Sequence, residues 1–149
     1  MSILLLVYRA SRPNIAELGK VPGTADQYAD RARHPANELV ADVAILRVES
    51  GLFFANAEEV RRAVLQRARQ PGTIAVILDA ETIGAVDVTA VRALVQLASE
   101  LQRSGVRPAL AHGIGQVRDM LRQDRERGDP TLELYPTVQA AVDALTPDS

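Results

Sequence analysis

The sequence predicts an α/β domain built on a mixed, mainly parallel sheet of about five strands with about four helices. Three observations carry this. Short segments rich in Val, Ile and Leu alternate with longer segments whose apolar residues recur at helical spacing. "TIAVILD", residues 73–79, is apolar without alternation, as suits a parallel strand covered on both faces. "VAILRVES" is followed closely by "GLFF". The two read as a hairpin with a turn at Ser50-Gly51, which makes the sheet mixed.

The chain opens on "MSILLLVYRASRP", where the apolar run Ile3 to Tyr8 precedes Arg9 and Arg12. A membrane span needs about 20 apolar residues, so this run does not make one. A secretory signal would carry its charge before the run rather than after it. Residues 1–8 therefore read either as a first buried strand or as the cytoplasmic stub of a final membrane helix. Residues 9–39 hold Pro13, Gly19, Pro22, Gly23 and Pro35. They read as a linker and N-terminal extension, with one short extended piece near Tyr28.

The folded domain is expected over residues 40–146. After the hairpin, Asn56 is the expected N-cap of a helix. Ala57, Val60, Val64 and Ala68 form its apolar face. Glu58 and Glu59 fall in its first turn, and Pro71-Gly72 ends it. "TIAVILD" follows. Val88, Val91, Leu94, Val95, Ala98 and Leu101 then mark a second helix, closed by Ser104-Gly105. "RPALAH" reads as a strand. Ile114, Val117 and Leu121 mark a third helix, and "TLELY" is a weaker strand. Val138, Ala141, Val142 and Leu145 give a short last helix, with Pro136 expected at its start.

Composition excludes several classes of chemistry. There are no cysteines, so disulfides, thiolate-bound zinc and thiol catalysis are ruled out. The formal net charge is -2, without the basic footprint of a nucleic-acid binder. The chain has no P-loop, and "HGIGQVRD" is not a dinucleotide fingerprint. His34 and His112 have no metal-ligand spacing to each other, and no metal site is expected.

The candidate chemistry gathers in "VILDAETIGAVDVTAVRAL", residues 76–94. Asp79 closes a strand, and Glu81 and Asp87 follow it. Ligands in open α/β sheets bind beyond the carboxyl ends of strands. "VILDAET" approaches the D-x-D-x-T pattern of aspartyl-phosphate phosphatases, but Glu81 stands in place of the second Asp. The plain expectation is that Asp79 and Glu81 are loop acids in water. Asp87 reads as the N-cap of the second helix, with Val88 as its first residue and Thr89 as its second. The Thr89 hydroxyl then stands among unpaired backbone N–H groups at the positive end of a helix, where an added phosphate would be held.

These stretches resemble a STAS domain, most closely the C-terminal cytoplasmic domain of bacterial SulP anion transporters. "ILRVESGLFFANAEEVRRAV" is similar to the family's strand, turn and first helix. "VILDAETIGAVDVTAVRAL" is similar to its strand, loop and D-x-[ST]-[GA] helix start. "LYPTVQAAVDAL" is similar to its closing strand and helix. The resemblance implies the STAS fold and a regulatory or interaction role in a secondary transporter of sulfate or related anions, with no enzymatic activity. It implies partners in the transporter's own membrane domain, in another STAS domain or in a regulatory protein. The domain would lie on the cytoplasmic side of an inner or plasma membrane, and residues 1–8 would be the stub of the last membrane helix. In free STAS antagonists the D-S-S-G motif carries a phosphorylated serine. Asp87 matches its leading Asp, Thr89 the phosphoacceptor and Ala90 the Gly, while Val88 replaces the first Ser. The loop Asp79, Glu81, Thr82 and Val88 would form the interaction surface. No cofactor is expected, since no motif here supports the nucleotide binding proposed for some members. A stand-alone anti-sigma-factor antagonist switched at Thr89 is the alternative. A phosphatase using Asp79 is the third reading.

Overall fold

The computed structural model describes residues 15–49, 54–82, 88–113, 115, 118–119, 122 and 132–146, without the side chains of 54–56. The chain forms β1 (Ile15–Lys20), β2 (Tyr28–Asp30), β3 (Val43–Val48), α1 (Phe54–Ala68), β4 (Ala75–Asp79), α2 (Val88–Arg103), β5 (Arg107–Ala111), β6 (Glu133–Tyr135) and α3 (Val138–Leu145). The strands make one sheet in the order β2-β1-β3-β4-β5-β6. From β3 to β6 all neighbours are parallel. β1 runs antiparallel to both β2 and β3.

The sheet is mixed as expected, but the antiparallel pair comes from a different place. Residues 9–39 read as linker, yet Ile15–Lys20 pairs with β3 through Ile15↔Val48, Ala16↔Arg47 and Glu17↔Leu46. Alternate residues of β1, Ala16 and Leu18, are buried. Two apolar positions were too few to show as a period. The extended piece near Tyr28 is β2. Of the expected hairpin strand "GLFF", Phe54 belongs to α1, and residues 50–53 lie outside the described residues. Because α1 starts at Phe54, Asn56 is inside the helix rather than its cap. Glu58 and Glu59 fall beyond the first turn, which holds no acid. Aromatic β propensity yielded here to the helix that follows.

Strand side chains alternate between faces. Ala44, Leu46, Val48, Val76 and Leu78 face α1 and α2, together with Val60, Val64, Val91, Leu94 and Leu101. Val43, Ile45, Ala75, Ile77, Ala109 and Ala111 face the other way, against Val138, Ala141, Val142 and Leu145 of α3. Every residue of β4 is buried, as the unbroken apolar run requires. In α2 the buried stripe is Ala90, Val91, Leu94, Leu97, Ala98 and Leu101. Val88, expected on that face, is exposed, because it precedes the first residue that reaches the sheet.

The ends of α2 and α3 follow local chemistry. Gly105 has φ 80°. Val106 N–H donates to Leu101 O, and Gly105 N–H to Gln102 O, at 2.9 and 3.0 Å. This is the glycine-closed helix end that the sequence predicts. α3 is capped by Thr137, whose hydroxyl accepts from Ala140 N–H at 3.0 Å. Pro136, expected at the first helical position, stands before the cap. Thr137→Ala is expected to cost about 1 kcal/mol, read as a lower urea midpoint with an unchanged denaturant slope. Of the third expected helix, Ile114, Val117 and Leu121 lie outside the described residues, though Gly115, Arg118, Asp119 and Arg122 are helical.

Candidate functional site

The carboxyl rim of the parallel strands brings together the polar residues that end three apolar runs. β3 and β4 pair in register, so Arg47 lies directly beside Asp79. By alternation both face the α3 side of the sheet. β5 continues beyond Ala111, the partner of Asp79, into His112, which has φ 57°. That left-handed conformation is uncommon outside glycine. It carries the chain from the strand into the following turn.

Asp79 is the hub. Its side chain has 0% exposure, against 20% for Arg47, 30% for His112 and 59% for Glu81. Arg47 Nε and a terminal guanidinium nitrogen both donate to Asp79 Oδ2 at 3.0 Å. Asp79 Oδ1 accepts the Glu81 backbone N–H at 3.0 Å and lies 2.9 Å from His112 Nδ1. The same guanidinium reaches Glu81 Oε2 at 3.4 Å. Beyond Glu81, the Thr82 hydroxyl donates to Val48 O at 2.7 Å, tying the loop back to the end of β3.

This overturns the expectation that Asp79 is a loop acid in water. It is a buried, fully coordinated carboxylate, which is the form in which a charge survives in a protein interior. It has no surface to offer an interaction partner. Both of its oxygens are engaged, one by Arg47 and the other by the Glu81 N–H and His112. Asp79, Glu81 and His112 bring ligand-type atoms within 4.8 Å of one another. The cation that the chain itself supplies there is the Arg47 guanidinium.

The cluster lines one side of a cleft of about 460 Å³, whose other walls include Asp26, Tyr28, Thr137 and Val138. Tyr28 donates its hydroxyl to Gln139 Oε1 at 2.6 Å. Burial, then the charges of Asp143 and Asp26, push its phenol above the usual tyrosine range. Three carboxylates face one guanidinium in this cleft.

Glu81, Thr82, Val88 and Thr89 are exposed. Ala90 is buried at 0%, where its methyl packs into the core beneath α2. Asp87, the expected cap, lies outside the described residues. Sequence reasoning missed Arg47 and His112. A signal was available: "VAILRV" and "AVILD" each carry one charge near the same end of an apolar strand. Parallel, in-register pairing makes such charges neighbours.

Comparison with known proteins fits this architecture. The family model for the STAS domain matches residues 34–141. A probable sulfate transporter of Mycobacterium tuberculosis is 39% identical over 82% of this chain and 22% of its own length. The chain thus spans about a fifth of that relative. The structure of the murine Solute Carrier 26 family member A9 anion transporter, inward-facing, superposes with TM-score 0.74 at 26% identity. That match covers 96% of this chain and 24% of that one. The SulP transporter STAS domain of Vibrio cholerae shares the fold, with TM-score 0.56 at 21% identity over 76% of this chain and 88% of that one. Among the described residues no helix is long and apolar enough to cross a membrane. In sheet order, helix placement and sequence, the chain belongs to the STAS domain family.

Proposed function

We propose that this chain is a regulatory, non-catalytic STAS domain of a SulP-type sulfate or related anion transporter, working on the cytoplasmic side by binding other protein surfaces. The transporter's own membrane domain is the first partner, and a second STAS domain or a regulatory protein the next. The reading needs no cofactor. The observation that carries it is the exposed start of α2. Val88 is 51% exposed, one of two large exposed hydrophobic residues among those described. Thr89 is exposed beside it. An apolar contact flanked by a hydroxyl at a helix start is both a docking point and a place where phosphate would be held. The buried Asp79 contributes by holding the Glu81 backbone N–H just beyond β4.

Thr89→Glu is expected to weaken binding to the purified membrane domain of the parent transporter by about tenfold, or about 1.4 kcal/mol. The thermal melt should be unchanged, since the side chain is exposed. Equal binding by variant and wild type would count against the reading. So would an upstream reading frame that encodes no membrane helices.

A further inference from the structure

A second groove runs between α1 and α2 at the opposite rim of the sheet, with a volume of about 540 Å³. Leu65 and Leu101 lie in its floor, and Arg61, Arg69, Arg103 and Glu100 in its walls. Three guanidiniums thus face the Glu100 carboxylate, with Glu58 also paired to Arg61 at 3.0 Å, on a chain whose net charge is -2. Arg61 spans the helices and grips Glu100, with Nε at 2.9 Å and a terminal nitrogen at 2.8 Å. The hydrogen bonds from Arg61, reinforced by its charge and those of Arg103 and Arg69, hold the Glu100 carboxyl below the usual carboxylate range. The groove already stabilises an anion of its own. Arg69 and Arg103 are exposed. Among the described residues neither forms an ion pair, and Arg103 donates only a long 3.4 Å bond to the Ser99 carbonyl.

We propose that this groove docks an acidic, amphipathic helical segment of a soluble partner protein. The charge left over in the groove asks for carboxylates, and the partly exposed Leu65 in its floor asks for an apolar side chain beside them. From Arg61 to Ala68, α1 advances about 10 Å at 1.5 Å per residue. That is room for about two turns of a third helix laid along the pair, a recurrent mode of recognition. A membrane surface is the less suitable occupant. This choice rests on the reading that the chain hangs from a membrane domain through its N-terminal side. β1 begins beside Val48, at the carboxyl rim, whereas α1 and α2 end beside the starts of β4 and β5. The groove therefore faces away from the tether.

The test uses a short fluorescein-labelled helical peptide with leucines along one face and glutamates flanking them, its Glu→Lys counterpart, and phosphatidylglycerol–phosphatidylcholine vesicles. Fluorescence anisotropy should show the acidic peptide binding the wild-type chain and weakening as salt rises. Arg69→Glu with Arg103→Glu should lower that affinity by about tenfold and transfer preference to the lysine peptide. Both positions are exposed, so the circular dichroism spectrum and melt of the double variant should match the wild type. Equal binding of both peptides, or of the acidic peptide by both proteins, overturns the proposal. Vesicle binding lost in the double variant, without peptide binding, replaces the protein partner with a membrane and also overturns it. Thr89→Glu should bind the acidic peptide unchanged. Failure here therefore leaves the role of the α2 start standing, and failure there leaves this groove standing.

Discussion

Arg47→Met is expected to destabilise the domain by about 3 kcal/mol, at the lower end of the cost of stranding a buried charge. The substitution keeps most of the side-chain volume and removes only the guanidinium. Asp79 has no exposure, so it cannot recover the lost bonds from water. It keeps the Glu81 N–H and His112, which is why the loss stays near the lower end. The reverse change should be milder. Asp79→Asn leaves an arginine that is one-fifth exposed and still within 3.4 Å of Glu81, at a cost of about 1–2 kcal/mol. Replacing both, Arg47→Met with Asp79→Leu, should cost less than Arg47→Met alone, since an apolar pair can substitute for a buried ion pair. Urea denaturation of Arg47→Met, of Asp79→Leu alone and of the double reads the coupling directly. If the double variant lost the sum of the two singles, the pair would not be acting as a unit.

Ile77→Ala should cost about 4 kcal/mol, in the upper half of the range for such truncations. Ile77 is the middle residue of a strand with neighbours on both sides, between Ile45 and Ala109, and is fully buried. What sets the magnitude is its surroundings. The cluster against α3 contains Ala16, Ala75, Ala109, Ala111 and Ala141. Methyl groups have no rotamers with which to move into a hole, so the cavity stays open. A truncation on the other face has larger neighbours to relax, such as Leu46, Leu94 and Leu110. Leu78→Ala should therefore fall nearer the middle of the same range. Equal losses at Ile77 and Leu78 would show that the alanine-rich face repacks as readily as the leucine-rich one.

The parallel half of the fold was legible because its strands are buried on both faces and its helices carry wide apolar stripes. "TIAVILD", "RPALAH" and the α2 stripe predicted their elements with boundary errors of a residue or two. β1 was not legible: Glu17 and Lys20 interrupt its apolar positions, and Gly19 within it argued for a loop. Gly19 is there for space, since a Cβ would stand 3.0 Å from the Glu38 carbonyl oxygen. The candidate site was half legible. Thr89 and Val88 could be placed at a helix start, but the period put Val88 on the buried face and not on the exposed one it occupies. Asp79 was misjudged because a carboxylate at the end of a strand looks the same in sequence whether it faces water or an arginine. The difference lay 32 residues upstream, in a strand that only the sheet pairing brings alongside.

The place of β1 has a mechanical consequence. It is laced between β2 and β3 rather than laid on an edge. A pull on the segment before Ile15 along the strand axis would load the ladders on both sides in shear, with many hydrogen bonds sharing the force. An edge strand could be peeled away one bond at a time. The domain would therefore follow a moving N-terminal attachment as a rigid lever, with the start of α2 and the cleft around Arg47 carried along at the near end and the α1–α2 groove at the far end.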